Sequence, residues 1–114
     1  MFEPGLYYLG GPMTGLPGYN YPRFIEVSTI LRGLGITLFP AHEVDHGGPP
    51  GNRPYHEYLK GDLKVMLTCD HIILLEGWME SKGANLEVDV AKACEMGIWE
   101  YCDGHCDLVI HRVY

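Results

Sequence analysis

No apolar run in this 114-residue chain approaches the ~20 residues a helix needs to cross a bilayer, so a membrane-spanning protein is not expected. Positive charge is scarce. Eight Lys and Arg stand against fifteen Asp and Glu, a formal net charge of −7. That balance argues against a broad nucleic-acid-binding surface and leaves room for one small anionic ligand in a local pocket. The opening Met1-Phe-Glu-Pro-Gly5 has neither the basic region nor the apolar core of a secretory signal, so a cytoplasmic location is expected. Internal repeats and low-complexity stretches are absent. Cysteines number only four. Cys69 and Cys94 fall in apolar segments and read as small core residues. Cys102-Asp-Gly-His105-Cys106, with His111 downstream, imitates part of a metal site. It lacks a second matching Cys pair, so a turn at Asp103-Gly104 between two strands is expected and no metal is assigned.

What is present describes one globular domain over residues 1–114, with 46% hydrophobic and 20% charged residues. Leu6-Tyr-Tyr-Leu9 reads as a first strand that runs into a small-residue loop, Gly10-Gly-Pro-Met-Thr-Gly15. Pro22 starts a helix to about Leu34, with Phe24, Val27, Ile30, Leu31 and Leu34 at helical spacing. Ile36-Thr-Leu-Phe39 is a second strand, and His42 to Arg53 is a Gly- and Pro-rich loop. A second helix runs from Pro54 to near Thr68. Its predicted apolar face is Tyr55, Tyr58, Leu59, Leu63, Val65 and Met66, with Asp62 inside that face. His71-Ile-Ile-Leu-Leu75 is a buried strand, a third helical pattern extends to about Met96, and Gly97 ends the turn after it. Ile98–Tyr101 and Leu108–Val113 are the last strands. Alternating strands and helices predict an α/β fold, a mostly parallel sheet of about five strands with helices on both faces.

The third helix carries the candidate chemistry. On its wheel Ala84, Leu86, Val88, Val90, Ala91, Ala93 and Cys94 form one broad apolar arc, while Asn85, Asp89 and Lys92 lie opposite. Glu87 falls inside the apolar arc. A lone buried carboxylate is expensive, so such a group is paired, protonated or employed. A purely structural Glu87 that reaches a backbone N–H is the alternative. Ser81 is a good N-cap, and with Lys82, Gly83 and the free N–H groups of the helix start it forms a place for an anion. Trp78-to-Gly83 and Gly10-to-Gly15 both follow strands, so both should lie at the carboxyl edge of the sheet, where such folds bind ligands.

Taken together, Tyr8-Leu-Gly-Gly-Pro-Met-Thr-Gly15, Gly61-Asp-Leu63, Cys69-Asp70 and Ser81-Lys-Gly-Ala-Asn-Leu-Glu87 resemble the nucleoside 2-deoxyribosyltransferase-like superfamily over about residues 6–98. The Asn20-Tyr-Pro22 and Trp78 segments are most similar to its small bacterial and phage branch. The resemblance implies a flavodoxin-like three-layer sandwich and cleavage of a deoxyribose–base bond. Glu87 matches the family's nucleophile, Asp62 its second acid and Tyr8 its first-strand aromatic. A Ser six residues before the nucleophile, here Ser81, is what relatives that hydrolyse deoxynucleoside 5′-monophosphates carry. Val88-Asp89 departs from the small residue and Gly that relatives often have there.

These readings make the expected function hydrolysis of a 2′-deoxynucleoside 5′-monophosphate through a covalent glycosyl-Glu87 intermediate, with Asp62 orienting or protonating. Ser81, Lys82 and Gly83 would hold the phosphate. Gly10, Gly11, Pro12, Met13, Asn20, Tyr21 and Trp78 would contact sugar or base. The chemistry calls for no metal or organic cofactor. The expected partner is a small nucleotide or nucleoside, in a homodimer. Two alternatives are base exchange between nucleosides and a nucleotide-binding module without turnover.

Overall fold

The computed structural model describes residues 3–48, 53–102 and, as backbone, 109–112. The elements are β1 (Leu6–Gly10), α1 (Tyr21–Gly33), β2 (Thr37–Pro40), α2 (Tyr55–Met66), β3 (His71–Leu74), α3 (Lys82–Ala93), β4 (Gly97–Cys102) and β5 (Val109–Arg112). Short 3₁₀ turns at Pro17–Asn20, Ala41–Glu43 and Trp78–Glu80 precede or follow them. The five strands form one sheet in the order β2-β1-β3-β4-β5. The first four are parallel and β5 is antiparallel to β4. This is the α/β, flavodoxin-like order. The segment containing Asp103-Gly104, His105 and Cys106 lies outside the described residues. Among the described residues no helix is long and apolar enough to cross a membrane.

The central strands are buried on both sides. Tyr7, Tyr8 and Leu9 of β1 and Ile72, Ile73 and Leu74 of β3 are all inaccessible, as parallel strands covered by helices on two faces must be. At the edge, β2 alternates, with Leu38 inward and Thr37 and Phe39 outward. The chain moves one way along the sheet from β1 to β2 and the other way from β2 to β3 and β4. With right-handed crossovers, α1 therefore packs on one face and α2 and α3 on the other. Phe24, Val27 and Leu31 anchor α1, each contributing about 1.5–3 kcal/mol through burial.

Two expected faces are narrower than their sequence pattern. On α3 the buried residues are Ala84, Glu87, Val88 and Ala91, whereas Leu86, Ala93 and Cys94 are exposed. Cys94 is therefore not a core residue, while Cys69 is. On α2 only Met66 is fully buried, and Tyr55 is 42% exposed. The left-handed residue after α3 is Glu95 (φ 55), and the turn is over by Gly97, which begins β4. Asp70 of the Cys69-Asp70 pair has a structural task, since its Oδ2 accepts the Leu6 N–H at 2.8 Å.

Strand order reverses between β1 and β3, because their crossovers leave in opposite directions. Beyond the carboxyl ends of these two strands the following loops diverge and leave a crevice. The residues at that point are Gly10 and Gly11 after β1 and Leu75 after β3, whose N–H donates to the Gly10 carbonyl at 2.9 Å.

Candidate active site

A cleft of about 350 Å³ opens at this switch point. It is lined by Gly11, Met13, Thr14, Tyr19, Tyr21, Ala41, His46, Arg53, Tyr55, Tyr58, Leu59, Asp62, Ser81, Gly83, Ala84 and Glu87. Glu87 reaches it from the middle of the buried strip of α3 and is only 5% exposed. Its Oε2 accepts a 2.6 Å hydrogen bond from the hydroxyl of Tyr8, 79 residues away in sequence and itself inaccessible. Gly10 makes this geometry possible. A Cβ there would stand 2.8 Å from Glu87 Oε1 and 3.2 Å from the Tyr8 ring, so only bare backbone fits. Burial pushes the Glu87 carboxyl up to about 8. The Tyr8 hydrogen bond opposes that rise and the Asp62 charge adds to it. The Tyr8 hydroxyl is held well above its ordinary value by burial first and then by Glu87.

Asp62 comes to the same cleft from α2. Its Oδ1 lies 3.2 Å from His46 Nε2, and burial raises its carboxyl to about 6 against the lowering effect of the imidazole. Gly61 admits that imidazole, since a Cβ would be 2.8 Å from its Cε1 and Nδ1. Tyr58 packs edge-on against the same ring at 4.9 Å. Two carboxyls in one cleft, one rising to about 8 and one to about 6, form a pair in which protonated and ionised forms coexist near neutrality.

At the other end of the cleft Ser81 caps α3. Its Oγ accepts the Ala84 N–H at 3.2 Å, which leaves the hydroxyl proton free to donate outward. Gly83 lines the cleft beside it, against the Tyr55 hydroxyl. Lys82 is exposed at the rim, its ammonium 5.5 Å from the Tyr55 ring centroid. The start of α3 thus offers the cleft a hydroxyl and the positive end of a helix, the groups that suit an anion.

The sequence-predicted contacts divide. Glu87, Asp62, Ser81, Gly83, Gly11, Met13 and Tyr21 line the cleft, and Tyr8 and Gly10 lie directly behind Glu87. Four others, Lys82, Trp78, Asn20 and Pro12, do not line it. Trp78 points its Nε1 at Glu100 on β4 (3.4 Å), so the indole is turned from the cleft. Asn20 donates to the Pro12 carbonyl at 2.9 Å and serves the loop, and Pro12 packs near Gly77. In that loop Gly18, Tyr19 and Asn20 are consecutively left-handed, at about 1–2 kcal/mol for each non-glycine, and the kink turns Tyr19 into the cleft. His46, Arg53, Tyr55, Tyr58 and Tyr19 also line the cleft, although none of them is among the sequence-predicted site residues. His42 packs on Tyr21 and Phe24 outside the cleft. Among the described residues no group of three or more His, Cys, Asp and Glu could hold a metal ion.

A family model, described as a domain of unknown function (DUF4406), matches residues 6–100. The chain belongs to the DUF4406 family. The match spans every residue that lines the cleft and leaves Cys102 and the residues after it outside. No curated protein and no solved structure matches the chain. For this DUF4406 domain the chemistry therefore has to be read from the cleft itself.

Proposed function

We propose that the protein is an N-glycosidase that hydrolyses the base–deoxyribose bond of a 2′-deoxynucleoside 5′-monophosphate. One observation carries this reading: a buried, tyrosine-bonded Glu87 and a histidine-bonded Asp62 from separate helices share a cleft whose far end is a capped helix N-terminus. The superfamily resemblance of these same positions supports it, and with it a cytoplasmic homodimer.

In this scheme the phosphate docks on Ser81 and the N–H groups of α3, which places C1′ over Glu87. The pair reacts from its minor one-proton form, in which the proton sits on Asp62 and Glu87 is ionised; Glu87 then attacks C1′ through Oε1, while Tyr8 keeps Oε2. The C1′–N bond breaks, its electrons leave with the base, and the base takes the proton of Asp62. Water then attacks C1′ of the glycosyl-Glu87 ester. Its proton returns to Asp62, releasing deoxyribose 5-phosphate and the Glu87 carboxylate. Burial that raises Glu87 also raises its energy as an anion, and the cationic sugar formed in the transition state relieves it.

Incubation with each of the four deoxynucleoside monophosphates tests the proposal. Free base and deoxyribose 5-phosphate are expected from at least one, with the unphosphorylated nucleosides markedly slower. Folded protein that releases base from none of the four refutes it.

A further inference from the structure

A second concavity of about 390 Å³ lies on the outer side of α2, lined by Asp45, His46, Arg53, His56, Glu57, Lys60, Gly61 and Lys64. His56, Lys60 and Lys64 are spaced four residues apart, which stacks them in one stripe along α2, about 12 Å long at about 1.5 Å per residue, and Arg53 stands just before the helix start. Three of the chain's eight Lys and Arg are gathered here, in a protein of net charge −7. Arg53 pairs loosely with Glu57 at 3.6 Å. Among the described residues neither Lys60 nor Lys64 has an ion-pair partner. The groove is not isolated. His46 and Arg53 line both it and the cleft, and Tyr55 holds the start of α2 against Gly83 and Lys82 at the start of α3.

We propose that this groove binds the distal phosphates of a nucleotide whose sugar occupies the cleft. The preferred ligands are then deoxynucleoside di- and triphosphates. A phosphate at Ser81 sits beside the Tyr55 bridge. The chain beyond it passes Arg53, which stands at the junction, and meets Lys60 and Lys64. A single phosphate leaves those two lysines without an anion. This inference rests on the nucleotide reading of the cleft and widens its substrate class.

The test is calorimetric titration in EDTA at low salt, with a deoxynucleoside monophosphate, the matching triphosphate and inorganic tripolyphosphate as separate probes. The wild-type chain is expected to bind the triphosphate at least about tenfold more tightly than the monophosphate, and raising the salt should narrow the ratio. In Lys60→Ala/Lys64→Ala, checked for folding by its melting curve, the ratio should fall to within about threefold and tripolyphosphate binding should be lost. The single Lys60→Gln and Lys64→Gln chains should each show part of that loss. A triphosphate that binds no better than the monophosphate, or a ratio the lysine variants leave unmoved, overturns the inference. Lysine-dependent tripolyphosphate binding without any monophosphate binding would uphold the groove and count against the glycosidase reading. Absence of both would overturn the groove.

Discussion

Replacing Glu87 by Gln should stabilise the protein, and the gain should grow with pH. In the unfolded chain the carboxyl ionises near its ordinary 4.5, whereas in the fold burial holds its proton to about 8. A carboxyl raised by folding leaves stability intact below its unfolded value and removes it as pH climbs through the folded one. Below pH ~4.5 Glu87 thus costs nothing through ionisation. Between about 4.5 and 8 it costs about 1.4 kcal/mol per pH unit, and the ceiling is about 5 kcal/mol. Against the 5–15 kcal/mol typical of whole domains that is a large fraction. Gln keeps the shape and still accepts the Tyr8 hydrogen bond, so little else changes. The assay is urea unfolding of both proteins at half-unit steps from pH 4.5 to 8.5. The two should coincide near pH 4.5 and separate steadily to about 3–5 kcal/mol near pH 8, or more than about 10 °C in melting temperature. Asp62 adds its own decline between 3.8 and about 6, shared by both chains. Parallel profiles would refute the reasoning, because Glu87 would then titrate as an ordinary surface carboxyl.

If the glycosidase reading holds, kcat/KM against pH should be bell-shaped with limbs near 6 and 8, and Asp62→Asn should leave one ionisation in place of two, as initial rates across pH 5–9 would register. Ser81→Ala should raise KM for a monophosphate by about 10–100-fold while changing an unphosphorylated nucleoside little, with about 1 kcal/mol lost from the cap in a melting curve. Gly61→Ala should lower kcat/KM at least about tenfold because its methyl displaces the His46 ring from Asp62, and the lost contact, at about 1–3 kcal/mol, should cancel or outweigh the about 1 kcal/mol that Ala adds to the helix. Urea melts and steady-state kinetics on the same preparation would separate those two effects.

Periodicity made the order of strands and helices legible, together with the inward place of Glu87. An acid amid Ala84, Val88 and Ala91 has no other direction to face. Breadth of burial was not legible. A helix wheel counts Leu86 and Cys94 as core because they are apolar, but a sheet covers only the strip it touches, and both stand outside it. His46 left no periodic trace, because a loop imidazole is fixed by what folds against it. The nearest signal was Gly61, a costly residue inside a helix, and only the coordinates show that its missing Cβ makes room for that ring. Trp78 misled for the opposite reason: an indole beside an anion-binding turn suits a base, yet its N–H is taken by Glu100. The turn expected at Asp103-Gly104 between two strands already implied that β5 runs antiparallel to β4, as it does.

The single deep anchor of α2 has a mechanical consequence. Met66 is its one fully buried side chain, at the carboxyl end, while Tyr55 at the other end is half-exposed and rests against Gly83 and Lys82. At about 1.5 Å per residue, Asp62 lies about 6 Å from Met66 and Tyr55 about 16 Å. A tilt of about 10° about Met66 would carry Tyr55 about 3 Å and Asp62 about 1 Å, so any such tilt moves the mouth of the cleft about three times as far as the acid.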